Sequence, residues 1–484
     1  MSFLTAELRY DPFAELGVED PYPLYARLRD EAPAYHNPDR DFWALSRFED
    51  VQAAARDWET FSSEPCVDPD YVGVRLRLNS FLDLDPPMHD LLRRIVKAHF
   101  TPKAIKELEV VTGAVASELV ETFVAAGETD LARDFAWGLP LKVTMTLLGL
   151  PREDFPFLRD TFELLWQDNR LWIEPAPDAP SRVAAARIHE YFAARLLERE
   201  RHPTADVLST IAAAHATEEL AIDVLAELAI VLYIAGYETT ANLLSNSVLH
   251  LAEHPEQRAW LVAHPDRLQD AVEELLRFDA PVQVLARNTT KPVELHGRLL
   301  PEGARVLLLY GAANRDPRRY DDPDRLDLGR PVLRHLSFGN GIHHCLGAPL
   351  ARQEARVALA TLLARVPDYE ISGPVVRNTN MVSTRGLVSL PASVPADAKP
   401  SAAGRPTAEQ PSTAGDGIRG EADSSATRSR RSEACLPLRA EKRRYHGLEK
   451  VGASRTRTGD LLVRCISRAR RSAPAGSRTV RARL

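Results

Sequence analysis

Residues Phe338 to Gly347 read F-G-N-G-I-H-H-C-L-G, and A-P-L-A-R-Q-E-A-R-V-A-L-A-T-L-L-A-R follows directly. Gly339 and Gly341 permit backbone angles barred to other residues, so this stretch can fold tightly against a flat group with no side chain in the way. Cys345 stands at the head of an amphipathic helix. Unpaired backbone N–H groups and the positive end of the helix dipole meet there, and both favour thiolate over thiol. A thiolate so placed is a candidate metal ligand. The plain alternative, a buried free cysteine in a Gly-rich turn, suits a lone Cys, and the surrounding motifs argue against it here.

At matching spacing, Phe338, Gly339, Gly341, His343, Cys345 and Gly347 resemble the haem-binding signature of the cytochrome P-450 family, the haem-thiolate monooxygenases. The resemblance implies a mainly α fold with small β-sheets in a single large domain. It also implies haem b (iron protoporphyrin IX) held with Cys345 as iron ligand and Phe338, Gly339 and Gly347 among the cofactor contacts. An anionic sulfur on iron pushes electron density that helps to break an O–O bond. That is oxygenase chemistry rather than oxygen carriage.

Three more segments stand in the order this family requires. Upstream, A-V-E-E-L-L-R places Glu274 and Arg277 on one helical face. It resembles the family's E-x-x-R motif, in which an Arg from a later loop joins the pair behind the haem. Arg325 in D-P-D-R-L is the matching third member, although the family usually has Phe where Leu326 stands. Before it, the apolar run from Leu220 to Leu251 reads as a central buried helix interrupted at Ala235 to Thr240 by A-G-Y-E-T-T. Gly236 is costly in mid-helix, and the Thr239 hydroxyl can bond back to a carbonyl one turn earlier. Glu238 and Thr239 match the acid–alcohol pair that the family keeps beside its oxygen site. A carboxyl and a hydroxyl in an otherwise apolar helix make a route for protons.

The remaining marks concern the two haem carboxylates. D-P-P-M-H-D-L-L-R puts His89 and Arg93 on one helical face and resembles the family's propionate-holding helix. Arg287, in the strand-like V-Q-V-L-A-R-N-T-T, and His343 match two further propionate contacts. Arg suits a carboxylate because its planar fork bonds bidentately.

The chain has 484 residues, 44% hydrophobic and 27% charged, which is ordinary for a globular enzyme. Its start, M-S-F-L-T-A-E-L-R-Y-D-P-F, reads as neither a signal core nor a membrane span. Four cysteines, Cys66, Cys345, Cys435 and Cys465, suggest neither a disulfide framework nor a zinc site. A cytoplasmic protein with no membrane partner is expected. Residues 1–395 read as the catalytic domain, with small strands around D-F-W-A-L-S-R-F-E-D-V, helices from Pro87 to Ala280, and a strand and loop in P-E-G-A-R-V-L-L-L-Y-G-A-A-N-R-D-P. Residues 396–484 differ: 20 basic against 9 acidic side chains give +11, while the rest, with 41 against 59, is −18. Such a polar, Arg-rich and aromatic-poor segment cannot bury enough apolar surface to fold alone, so a basic, disordered tail is expected. Its lack of interleaved aromatics speaks against nucleic acid as a partner.

The family resemblance implies insertion of one oxygen atom of O2 into an apolar small molecule, with electrons from a separate ferredoxin and ferredoxin reductase. Arg94, Lys97, Arg352 and Arg356 are the candidate basic contacts for such a donor on the cysteine side. A peroxide-driven peroxygenase and a non-catalytic haem-binding sensor are the rival readings. The acid–alcohol pair speaks against both, because peroxide brings its own protons and a sensor needs no proton path. By the same resemblance the substrate pocket draws on Tyr71 to Leu78, Leu164 to Trp172, Tyr233 to Ala235, Val282 to Leu285, and Met381 with Val382. A terpenoid, polyketide, fatty acid or small aromatic suits this lining.

Overall fold

A computed structural model of the chain describes residues 8–13, 20–69, 81–166, 179–378 and 381–395. The expected basic tail, 396–484, lies outside the described residues.

The molecule is built around the helix Ile222–Glu253. Length and apolar composition alone would let this helix cross a membrane. Here it is the core of the protein, as expected of a helix apolar all round, and it is buried without a break from Thr240 to Leu251. The anticipated interruption does not occur, because the helix runs unbroken through Ala235–Thr240. A Cβ on Gly236 would lie 2.9 Å from the Thr144 hydroxyl. Glycine there lets the crossing helix Gly138–Leu148 approach closely, and that packing offsets the propensity cost of about 1 kcal/mol.

Two other long helices complete the body on the cysteine side. Pro102–Ala126 starts at Thr101, whose hydroxyl accepts the Ala104 N–H, and ends at Gly127 in the left-handed region (φ 79°). It packs along Ala348–Arg365, the amphipathic helix that follows the cysteine. Leu268–Phe278, which carries Glu274 and Arg277, lies against the same helix.

The main sheet has five strands in the order Ala34–Asn37, Phe42–Leu45, Arg305–Leu309, Val284–Thr289 and Phe61–Ser62. Phe42–Leu45 runs parallel to Arg305–Leu309, with Phe42 opposite Arg305 and Leu45 opposite Leu308, and the other pairs are antiparallel. Three smaller sheets complete the β structure among the described residues. The fold is therefore mainly α with small sheets, as anticipated. The expected strands at Phe42, Arg287 and Arg305 are all present.

Candidate functional site

Gly339 and Gly341 adopt φ of 65° and 70°, where a side chain would be strained. At Gly341 a Cβ would also stand 2.7 Å from the Ala55 carbonyl oxygen, so the loop is pressed onto the helix Phe48–Arg56. The loop closes with the Cys345 N–H donating to the Phe338 carbonyl (2.9 Å). It presents Cys345 to a cavity of about 280 Å³, which Phe338, Gly339, His343 and Gly347 also line.

Cys345 is an exposed residue that lines this cavity, with the protein massed around it. Burial pushes its thiol pKa up. The N–H groups of Gly347 and Ala348 and the charges of Arg93 and Arg352 pull it down without overcoming that effect. The helix start alone therefore does not make the expected thiolate. A coordinated cation would, because it deprotonates a thiol outright.

Two cations face the same cavity. Arg287, 3% exposed, donates to the Ala286 carbonyl (2.7 Å), and Arg93 donates to the His344 carbonyl (2.6 Å). Neither is ion-paired among the described residues. The His343 Nε2 meets the Ser63 hydroxyl at 3.0 Å, while its Nδ1 is buried without a partner among the described residues. Burial, then the charges of Arg287, His89 and Arg93, lower the His343 pKa to about 2, so the ring is neutral. The His89 Nδ1 meets Asp90 at 2.8 Å, and its Nε2 is likewise buried and unpartnered. The two imidazoles stand 4.6 Å apart. Among the described residues, two cations outside any ion pair and two orphaned ring nitrogens fit a ligand bearing carboxylates, beside a sulfur that fits a metal.

On another wall, the Thr239 hydroxyl lines the cavity and donates to the Ala235 carbonyl (3.0 Å). Glu238 is 4% exposed. Its carboxylate accepts from the hydroxyl of Thr384 (3.2 Å), which does line the cavity. Burial pushes the Glu238 carboxyl up to about 7, against the Thr384 hydrogen bond and with help from Asp68. The folded protein thus keeps a proton that the unfolded chain has released between about pH 4.5 and 7, so this group withdraws stability as pH rises through that window. Glu238→Gln cannot ionise. Relative to wild type it should gain about 2 to 4 kcal/mol between the bottom and the top of the window, read from denaturant midpoints at the two pH values. Parallel pH profiles for the two proteins would refute the raised value.

Behind the cysteine loop, Glu274 and Arg277 form a buried bidentate pair at 2.7 and 2.8 Å. Its third member is not Arg325, whose exposed side chain is not part of the cluster and which supplies only its carbonyl (3.4 Å from Arg277 Nη2). Arg330 fills the place, with its Nε 3.1 Å from Glu274 Oε1. The loop turns back between the two arginines and carries only the later one inward.

Of the proposed basic contacts, Arg352 is committed to Glu273 (2.6 and 2.8 Å) and Arg356 to Glu109 (2.7 Å). Arg94 is exposed at 3.5 Å from Glu218, and Lys97 is exposed. Of the anticipated pocket stretches, Ala235, Val282 and Leu285 line the cavity. Tyr233 turns away, donating to the Leu158 carbonyl (3.0 Å). Leu164 and Leu165 pack into the core, and Ser383 and Thr384 take the place expected of Met381 and Val382. Tyr71 to Leu78 and residues 167–172 lie outside the described residues. Sequence reasoning did not find Thr384, Ser63 or Arg330. The first two are remote from their partners and unmarked by any motif, whereas a second arginine in the 325–330 loop was a visible signal.

A family model described as Cytochrome P450 matches residues 265–376. The putative cytochrome P450 123 of Mycobacterium tuberculosis is 38% identical over 395 residues, covering 81% of this chain and 98% of the relative. The vitamin D(3) 25-hydroxylase of Pseudonocardia autotrophica is 36% identical over 404 residues, covering 80% and 97%. The crystal structure of CYP109E1 from Bacillus megaterium in complex with testosterone matches with a TM-score of 0.71 at 29% identity, covering 80% of this chain and 100% of that one.

Proposed function

The chain belongs to the cytochrome P450 family of haem b-binding monooxygenases, and from that premise we propose that it inserts one oxygen atom of O2 into an apolar small molecule, drawing electrons from a separate ferredoxin and its reductase. The observation that carries this reading is one cavity lined together by Cys345, by Arg93, Arg287 and His343, and by Thr239 and Thr384. Cys345 is the proposed iron ligand. His89, Arg93, Arg287 and His343 would hold the two propionates, and Phe338, Gly339 and Gly347 would shape the surface offered to the flat ring. Bound there, haem supplies the iron at which dioxygen is reduced and its O–O bond is broken.

The remaining chemistry falls to the chain's own residues. Glu238, with a carboxyl near 7, holds and releases a proton at neutral pH, and the hydroxyls of Thr384 and Thr239 carry it to the cavity. The apolar lining, Val67, Leu232, Ala235, Val282 and Leu285, supplies no charge anchor and excludes water. Vitamin D(3) and testosterone in the names of two related proteins support an apolar, multi-ring class of substrate. The catalytic domain is taken as residues 1–395, since about four fifths of the chain accounts for nearly the whole of the M. tuberculosis relative. The unpaired thiols Cys66 and Cys345 suit the cytoplasm.

Thr239→Ala tests the reading. It removes one hydroxyl and leaves Cys345 and the cations in place. With a surrogate ferredoxin and reductase, NADPH should still be consumed, but hydrogen peroxide released per NADPH should rise several-fold, roughly the loss of one general-acid element. Unaltered peroxide yield together with collapse of peroxide-supported turnover would favour a peroxygenase.

A further inference from the structure

The central helix carries a buried polar line that an apolar core does not explain. Glu238, Asn242, Asn246 and His250 follow one another at four-residue intervals, so they share one face. They are 4, 0, 2 and 8% exposed. Both polar atoms of the Asn242 amide, and the Asn246 oxygen, are buried without a partner among the described residues. Each such group costs about 1 to 3 kcal/mol unless something bonds it, so three on one helical face call for bridging water.

The segment Ser383–Leu387 covers this face. A Cβ on Gly386 would fall 1.9 Å from Asn242 Oδ1, so the backbone there lies directly against the amide. The Asn246 Nδ2 donates to the Arg385 carbonyl (3.0 Å), and the Arg385 Nε reaches Asp279 (3.0 Å). The His250 Nε2 meets Asp279 Oδ2 at 3.0 Å, and its Nδ1 meets Glu253 Oε2 at 3.2 Å. Glu253 is half exposed. At the other end, Thr384 joins Glu238 to the cavity. The polar residues of this face are thus placed along the helix between the half-exposed Glu253 and the cavity-lining Thr384.

We propose that this face is the proton-supply route of the enzyme, in which His250 and Glu253 take up protons from solvent, Asn246 and Asn242 hold the waters that pass them inward, and Thr384 delivers the proton of Glu238 to the cavity. The inference rests on the reading of Glu238 as the acid of the relay. His250 takes up a proton at Nδ1 from the side of Glu253 and gives one up from Nε2, on the side of Asp279, to water that leads by Asn246 and Asn242 to the Glu238 carboxylate. Asn242 and Asn246 are positioning residues. Each amide offers a donor and an acceptor, which a water chain requires and an apolar side chain lacks. Glu253 of its own helix and His254 just beyond the helix end face His250, as does Asp279 from outside. Asp279 is in turn held by Arg385, Arg377 and Tyr22. Burial opposes the charge on His250, but its hydrogen bonds to Asp279 and Glu253 more than offset that and raise its pKa.

The test is hydrogen–deuterium exchange at the Glu238 carboxyl in the haem-loaded full chain. It follows the carbonyl infrared band that Glu238→Gln abolishes, in mildly acidic buffer where Glu238 carries its proton. Asn242→Leu should slow exchange about ten-fold or more, Asn242→Ser, which keeps a hydroxyl and leaves room for water, should restore it, and Asn246→Leu should act like Asn242→Leu. Thr384→Val should leave exchange unchanged, because it lies on the far side of Glu238, yet raise the peroxide released per NADPH consumed. Slowing by Thr384→Val alone would show that protons arrive through the cavity and overturn the route. Equal slowing in both variants, or in neither, would do the same. Normal peroxide yield in Thr384→Val with Asn242-dependent exchange would instead remove Glu238 from turnover and leave the path to it standing.

Discussion

Cys345→His should abolish the strongly red-shifted Soret band of the reduced carbon monoxide complex and, with it, monooxygenase turnover. The expected loss is complete rather than graded, because imidazole is neutral and cannot supply the electron density of an anionic sulfur. Haem retention should fall less, since the cations that fit its carboxylates, Arg93 and Arg287, are untouched by the substitution and still line the cavity. Retention and spectrum therefore separate ligation from packing. A variant that keeps both the red-shifted band and turnover would take the metal away from Cys345. Cys66 provides the internal control, since it is buried and its thiol is pushed up to about 12, chiefly by burial and by Asp83. Cys66→Ser should leave the spectrum unchanged.

Glu274→Ala should destabilise the protein by about 3 to 5 kcal/mol, because it strands the buried Arg277 and Arg330 without their shared anion. Arg277 also donates to the carbonyls of Asn314 (3.0 Å) and Pro323 (2.8 Å), so its displacement loosens the loop leading to the cysteine. The two loop arginines make the sharper comparison. Arg330→Ala should cost about 1 to 3 kcal/mol through lost charge-assisted bonds. Arg325→Ala should stay within about 0.5 kcal/mol, since only its backbone serves the cluster. Denaturant midpoints of the haem-loaded full chain decide the matter. Equal losses at Arg325 and Arg330 would contradict the geometry around Glu274.

What could be read in advance was whatever local chemistry determines. The two glycines and the cysteine of the loop are short-range necessities, and the apolar run of the central helix and the one-face spacing of Glu274 and Arg277 follow from helical period. What could not be read depends on the rest of the molecule. Arg325 and Arg330 share an irregular loop without period, so only tertiary placement shows which one turns inward. Thr384 meets Glu238 across 146 positions of sequence, with no motif to pair them. The expected helix interruption was inferred from Gly236, yet contact with Thr144 gives that glycine a packing role and keeps the ladder intact. At Cys345 the local dipole argument was sound in sign, but burial, a property of the whole fold, outweighs it.

The parallel pairing of Phe42–Leu45 with Arg305–Leu309 has a consequence for how the protein is born. The earlier strand leaves the ribosome long before its partner exists, and at roughly 5 to 20 residues per second the wait for the intervening 260 or so residues is about 13 to 50 seconds. During that interval the hairpin Ala34–Leu45 presents an open edge, which is an invitation to wrong pairing. Nascent chains of this protein therefore need either a holding chaperone or rapid collapse of the hairpin onto the neighbouring helix Phe48–Arg56.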